Sequence, residues 1–210
     1  MKRYLSLALL PLLAACQSQN SLEELKQAGD ALEAATRHER VARTFEQFIA
    51  SPTYRTSRDC WCGAALEQYA PSRSYVEILL NEQRGRLYIK GQIAMDFPVC
   101  SGREGGYETP RGTFRISEKK REHRSSLYGS FVDANGDTVR RNAHSGSAAP
   151  AGTTFRGTLM PYWMRFNGAI GMHTGVVQRD GASHGCVRVP EEACSVLFEK
   201  LSVGSKVIVK

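Results

Sequence analysis

Between residues 173 and 188 the sequence reads His173-Thr174-Gly175 and then Ser183-His184-Gly185-Cys186-Val187-Arg188. A thiol, two imidazoles, a hydroxyl and a guanidinium fall in one turn-rich stretch, with glycines at 175, 181 and 185. A cysteine nucleophile needs a base within reach and N–H donors where an oxyanion develops. The thiolate is the reactive form, so the base decides reactivity. His173 is the first candidate for that base, since it ends an expected strand with glycines on both sides. His184 stands two residues from Cys186 and cannot easily turn its ring onto that sulfur, so it reads as a support. Gly181 and Gly185 let the backbone approach a substrate closely and let N–H groups converge. Cys186 and the two histidines lack a carboxylate or cysteine at a step that would complete a zinc set, so neither metal nor cofactor is expected.

The flanking sequence supplies strands and a helix to hold this stretch. Residues 75–80, 86–90 and 93–99 are short apolar runs separated by polar turns, which predicts a meander of three strands. A glycine-rich loop follows over residues 102–109, then a turn and strand over 109–116. Residues 117–160 show the least pattern, with a basic cluster (Lys119, Lys120, Arg121, Arg124) and an Asn135-Gly136-Asp137 turn signal. They are expected to form a long loop, either a wall beside the site or a solvated surface. Residues 170–173 predict the strand that delivers His173. Tyr162 and Trp163, just upstream, are expected to line a substrate groove or to pack in the core. Pro190-Glu191-Glu192 opens a helix with acids in its first turn, where the dipole favours them. Residues 206–209 form a last strand. The fold class is mainly β with helices (α+β).

The N-terminal part reads differently. Lys2 and Arg3 precede an apolar run, residues 5–13, too short to remain as a membrane-spanning helix. Leu13-Ala14-Ala15-Cys16 resembles the lipobox of bacterial lipoproteins, which implies acylation of Cys16 and an anchor rather than a span. Gln17, where an aspartate would favour retention at the inner membrane, points to the outer membrane. Residues 18–50 predict helices: Leu22, Leu25, Ala28, Leu32 and Ala35 recur at helical steps, as do Val41, Phe45, Phe48 and Ile49. Pro52 ends that pattern, and residues 51–73 read as a crossing segment. The formal net charge is +7. A basic surface suits an anionic partner, and export excludes nucleic acid. With Cys16 assigned to lipid and Cys186 to chemistry, Cys60, Cys62, Cys100 and Cys194 remain and are expected to pair as disulfides. Three connectivities stay open, of which Cys60–Cys62 is least favoured by its strained ring.

His173 with Ser183-His184-Gly185-Cys186-Val187-Arg188 resembles the signature of the YkuD-type L,D-transpeptidases. The Thr109-Pro110-Arg111-Gly112-Thr113-Phe114 turn, the run from Met160-Pro161-Tyr162 to Gly171-Met172-His173, and the closing helix and strand match in order. The resemblance covers about residues 74–210. It implies a YkuD-like β-sandwich or barrel catalytic domain there; the residues before it read, without any such match, as a signal peptide at 1–15 and a helical tether and crossing segment at 17–73. It implies acyl transfer on peptidoglycan stem peptides: Cys186 attacks the tetrapeptide donor, D-Ala leaves, and an amine resolves the thioester. His173 is the implied base. Ser183, His184, Gly185 and Arg188 are implied supports, with a contact from His184 orienting His173. Tyr162, Trp163 and Met172 would face the donor. The product would be a 3→3 cross-link, an attached wall protein or an exchanged D-amino acid. Water as acceptor would make the enzyme a carboxypeptidase, and a non-catalytic wall-binding or regulatory lipoprotein is the reading of another class. Two departures stand out: Thr174 intervenes between His173 and Gly175, and the step from His173 to Cys186 is shorter than the family's usual one. Both alter the wall between donor and acceptor.

Overall fold

Apolar side chains at every second position of residues 76–97 build the first layer. In this computed structural model, residues 26–28, 50–52, 54, 64–178 and 180–210 are described. The chain divides into two compact units, residues 1–50 and 51–210, and the elements below belong to the second. Of the expected N-terminal helices only residues 26–28 are described, and these are helical. The signal segment, Cys16, Cys60 and Cys62 lie outside the described residues.

A short helix, α1 (Ala64–Glu67), and a 3-10 turn (Pro71–Arg73) lead into β1 (Ser74–Leu79), β2 (Arg84–Ile89) and β3 (Gln92–Pro98). Val76 and Ile78 of β1 and Leu87 of β2 are wholly buried, which is the period-2 pattern of a sheet with one face on a core. Ile89 pairs with Gln92 across Lys90 and Gly91, both at positive φ (52° and 82°), the geometry a two-residue hairpin turn demands. β4 (Gly112–Arg115) and the C-terminal β12 (Lys206–Val209) complete a five-stranded sheet in the order β3-β2-β1-β12-β4. The β1·β12 pair is parallel and its other neighbours are antiparallel.

A second sheet has the order β11-β10-β9-β5, formed by β5 (Glu118–Lys120), β9 (Trp163–Asn167), β10 (Ile170–Thr174) and β11 (Val187–Val189). Its buried residues Met164, Phe166, Met172 and Val187 join Val76, Phe97 and Val207 of the first sheet and Leu197 of α2 (Glu191–Lys200) in one core. Across it, Phe114 and Phe166 rings lie 5.5 Å apart. Pro190 caps α2, with Glu191 and Glu192 in its first turn, as the sequence predicts.

At the edge of the core sits a buried ionic cluster. The Arg84 guanidinium contacts Asp96 at 2.7 Å, both side chains fully buried. Arg86 reaches the other Asp96 oxygen at 2.9 Å. Tyr54 donates its hydroxyl to the same carboxylate at 3.0 Å, and burial pushes its pKa up to about 12. The segment before the strands is thus fastened through Tyr54.

The expected long loop at residues 117–160 is instead built of strands. After β5, β6 (Arg124–Val132), β7 (Thr138–His144) and β8 (Thr154–Leu159) form a separate sheet in the order β7-β6-β8. Its pattern is faint because it packs little against a core: Ala143 is the one buried residue of β7, and β8 has none. Strands wet on both faces lack the alternation that betrays a half-buried strand.

Candidate active site

β10 and β11 run parallel and in register, with Met172 opposite Val187 and His173 opposite Arg188. Cys186 is the residue immediately before β11, so it stands beside the start of β10. Its thiol points to the β9–β10 turn, with Sγ 3.9 Å from the Ala169 carbonyl, and it receives the Gly171 N–H. Gly171 and His173 share a face of β10, because alternate residues of a strand point the same way. The thiol and the imidazole therefore lie on one face of the sheet. Gly171 lets β9 pack closely against β10: a Cβ there would stand 2.7 Å from both the Met164 carbonyl oxygen and the Trp163 ring.

The nucleophile loop is clamped from the other side by residues 100–109. Cys100 and Arg188 exchange backbone hydrogen bonds of 3.0 and 2.9 Å. The N–H groups of Ala182 and Ser183 donate to the Ser101 carbonyl at 3.0 and 3.1 Å, and Arg103 N–H donates to the Ser183 carbonyl at 3.1 Å. Ser183 is buried; its hydroxyl donates to the Cys186 carbonyl and accepts the Gly185 N–H at 3.1 Å. Thr109 donates its hydroxyl to the Gly185 carbonyl at 2.8 Å and accepts the Gly102 N–H at 2.9 Å. Gly185 has φ 111°, a region that L side chains rarely adopt. Thr109 is the partner the sequence reading missed. Its place after a glycine-rich loop was visible, but nothing in one sequence links it to residue 185.

His173 is 7% exposed. Its Nδ1 is 2.8 Å from the Thr174 carbonyl oxygen. A carbonyl only accepts, so Nδ1 carries the proton and Nε2 is left with its lone pair, the tautomer a general base requires. Burial pushes the imidazole pKa down to about 4, and the charges of Arg188 and His123 add to the effect against the Thr174 hydrogen bond. Burial raises the Cys186 thiol pKa, opposed by the Gly171 N–H and Arg188. Both shifts favour the uncharged forms, thiol and neutral imidazole. Arg188 pairs with His173 across the strands, and its side-chain stem crosses close to Gly175, where a Cβ would meet its Cγ at 3.0 Å.

Several expected roles change. Trp163 is 1% exposed and Met172 fully buried, so neither offers surface to a donor. Trp163 packs between His123 (4.7 Å, stacked) and His173 (6.1 Å), and its indole N–H donates to Glu118 at 3.1 Å. Tyr162 packs on Phe198 of α2 at 5.6 Å. Of the two readings of Tyr162 and Trp163, packing is the one observed. His184 does not reach His173 as expected; it is exposed and stacks on Tyr128 of β6 at 4.2 Å. The Gly185 N–H is engaged by Ser183. Cys100 and Cys194, expected in disulfides, are free thiols. Cys100 is wholly buried with Sγ 3.4 Å from the Asp180 carbonyl. Cys194 faces the Tyr162 carbonyl at 3.8 Å, and burial raises its pKa to about 12. Each fills a small apolar site, the ordinary place of a free cysteine. Among the described residues no group of three or more His, Cys, Asp or Glu side chains could hold a metal ion.

The register of β10 and β11 thus brings a buried imidazole and the thiol of a clamped glycine loop to one edge of the fold. Residues 73–209 match the model of the YkuD family, the L,D-transpeptidase catalytic domain, and the chain belongs to that family. Solved structures of similar fold include an L,D-transpeptidase from Stackebrandtia nassauensis (23% identity, TM-score 0.49, covering 78% of this chain and 63% of that one). One from Mycobacterium smegmatis shares 17% identity (TM-score 0.49, 66% and 58% covered). One from Xylanimonas cellulosilytica shares 22% (TM-score 0.49, 68% and 63% covered). The chain thus spans about 60% of the length of these structures. No protein of curated function matches it.

Proposed function

We propose that the protein is a peptidoglycan L,D-transpeptidase in which Cys186 is the nucleophile and His173 the general base. As Sγ attacks the carbonyl of the third stem residue of a tetrapeptide donor, the thiol proton passes to Nε2 of His173. The tetrahedral intermediate collapses to a thioester, and the departing D-Ala amine takes the proton back from Nε2. An acceptor amine then attacks the thioester, gives up a proton to the same nitrogen, and restores the thiol. The Cys186 N–H donates to the oxyanion, a class of contact worth roughly 2.7–4 kcal/mol. Arg188, beside His173, holds a substrate carboxylate. Ser183 and Thr109 hold the loop in shape through the Cys186 and Gly185 carbonyls. The reading extends to place: acylated at Cys16, the protein faces the periplasm from the outer membrane, where peptidoglycan is the polymer within reach.

The observation that carries this reading is the proton order at His173. The Thr174 carbonyl keeps the proton on Nδ1, and burial keeps the ring neutral at working pH, so a lone pair faces the reaction without prior deprotonation. The test is incubation of the purified chain with tetrapeptide muropeptides, followed by mass spectrometry. A thioester adduct on Cys186, absent in Cys186→Ala, is expected, together with cross-linked dimers or exchanged D-amino acids. Shortened stems as sole product would assign water as the acceptor. Neither adduct nor product from the intact protein would sink the proposal.

A further inference from the structure

Beside the nucleophile loop lies a cluster of rings that this acyl transfer leaves unused. His184 stacks on Tyr128 with centroids 4.2 Å apart and planes 20° apart. It meets Tyr107 edge-on at 4.8 Å. Tyr128 in turn meets His144 of β7 at 5.6 Å, again edge-on, and the Arg103 guanidinium lies 4.2 Å over the Tyr107 ring. Four separate segments contribute: the glycine-rich loop, the nucleophile loop, β6 and β7. Tyr128 pairs with His144 in the β6·β7 register, so both rings rise from one face of that sheet. Tyr107 is 37% exposed, and His144 and His184 are exposed.

Four rings gathered at a surface, each with a polar tip, make an amphipathic platform rather than an apolar groove. Its chemistry fits a ligand with C–H faces and a rim of hydroxyl and amide groups, which describes an N-acetylhexosamine. The spacing agrees. His184 is two residues from Cys186, hence within about 7 Å along the chain. A three-residue stem spans at most about 11 Å, so the sugar at its root falls within reach of these rings when the third residue's carbonyl is at Sγ.

We infer that Tyr107, Tyr128, His144 and His184 form a saccharide-binding platform next to Cys186, taking an N-acetylhexosamine unit of the glycan to which the acyl donor is tethered. Naming the glycan rests on the proposed function; the platform itself does not. Partial desolvation and the neighbouring Arg103 and Arg188 lower the His184 pKa, which favours its neutral ring in the stack.

Two measurements test this. In the first, the tetramer of N-acetylglucosamine is titrated into the full chain carrying Cys186→Ala and followed by calorimetry. Saturable binding is expected. Tyr128→Ala and Tyr107→Ala should each weaken it roughly 2- to 10-fold, the range that loss of one aromatic contact gives, while Tyr128→Phe retains it. If Tyr128→Ala fails to fold, Tyr107→Ala, in a loop, carries the test. Absence of binding by the parent chain overturns the inference. In the second, kcat/KM is compared for a disaccharide-tetrapeptide donor and the free tetrapeptide. The intact enzyme should prefer the former through KM, and Tyr107→Ala should shrink that ratio. Equal loss on both donors would make the stack a mere clamp for the β7-β6-β8 sheet and overturn the inference. Binding of the tetramer without turnover of either donor would leave the platform standing and remove the transpeptidase reading instead.

Discussion

Protonation of His173 is the perturbation whose size the structure fixes best. The imidazole has a pKa of about 4 in the folded chain, against about 6.5 when unfolded. The folded value is the lower one, so between about 4 and 6.5 the unfolded chain binds more protons and stability rises with pH. At pH 7 the ring is neutral in both states and contributes no penalty. As pH falls the unfolded state gains, by about 2.5 kcal/mol at pH 4.5 and about 3 kcal/mol below pH 4. His173→Asn places an amide N–H where Nδ1–H meets the Thr174 carbonyl and removes the titrating group. Urea unfolding of both proteins at pH 7.0, 5.5 and 4.5 isolates the difference. The remaining titratable groups are common to both chains, so their contributions largely cancel in the comparison. The intact protein should lose about 2.5 kcal/mol more than the variant between pH 7.0 and 4.5. Parallel curves would refute the argument that His173 is buried neutral, and with it the proton order on which the base depends. The same number predicts the kinetics: acylation by the intact enzyme should show no inflection at 6.5, only an acid limb near pH 4.

Other expectations are direct. Ser183→Ala removes the hydroxyl that ties the Cys186 carbonyl to the Gly185 N–H; leaving those groups unpaired should cost about 1–3 kcal/mol in stability, read by chemical unfolding, with kcat falling more than KM rises. Gly171→Ala drives a Cβ into the Trp163 ring and the Met164 carbonyl at 2.7 Å, so urea titration should show a loss of about 1–3 kcal/mol or more and thiol alkylation an altered rate at Cys186. Asp96→Ala removes the carboxylate that the fully buried Arg84 contacts, and the midpoint of unfolding should fall by the equivalent of about 3–5 kcal/mol. Alkylation of the native protein without reductant should mark Cys186 first, with Cys100 and Cys194 reacting only once the chain unfolds.

Much of the site was legible because it is local. The strand that ends in His173, the glycine loop before Cys186 and the helix opened by Pro190 are each set by a few adjacent residues, and each stands where the pattern puts it. What failed were inferences from residue type without place. Cys100 and Cys194 looked like disulfide partners because four cysteines were left over, yet a cysteine wholly buried against backbone carbonyls is a small apolar side chain first. Trp163 could be read as groove or core from its place before the histidine, and strand register decides for the core. The β7-β6-β8 sheet was invisible for the reason that makes it exposed, since no core imposes alternation on it. Thr109 and Tyr128 act on residues 185 and 184 across long stretches of chain, and no spacing rule connects them.

β11 is three residues long and bonded on both edges, to β10 on one side and to Cys100 on the other. Cys186 and His173 are therefore set side by side by strand ladders, which the Ala182 and Ser183 contacts to Ser101 reinforce. Closing a flexible loop costs only about 0.6 kcal/mol more for each doubling of its residues, so insertions ahead of residue 181 should be tolerated while those ladders hold. Such a layout would let the rim of the site vary in length while the Cys186 thiol stays where it is.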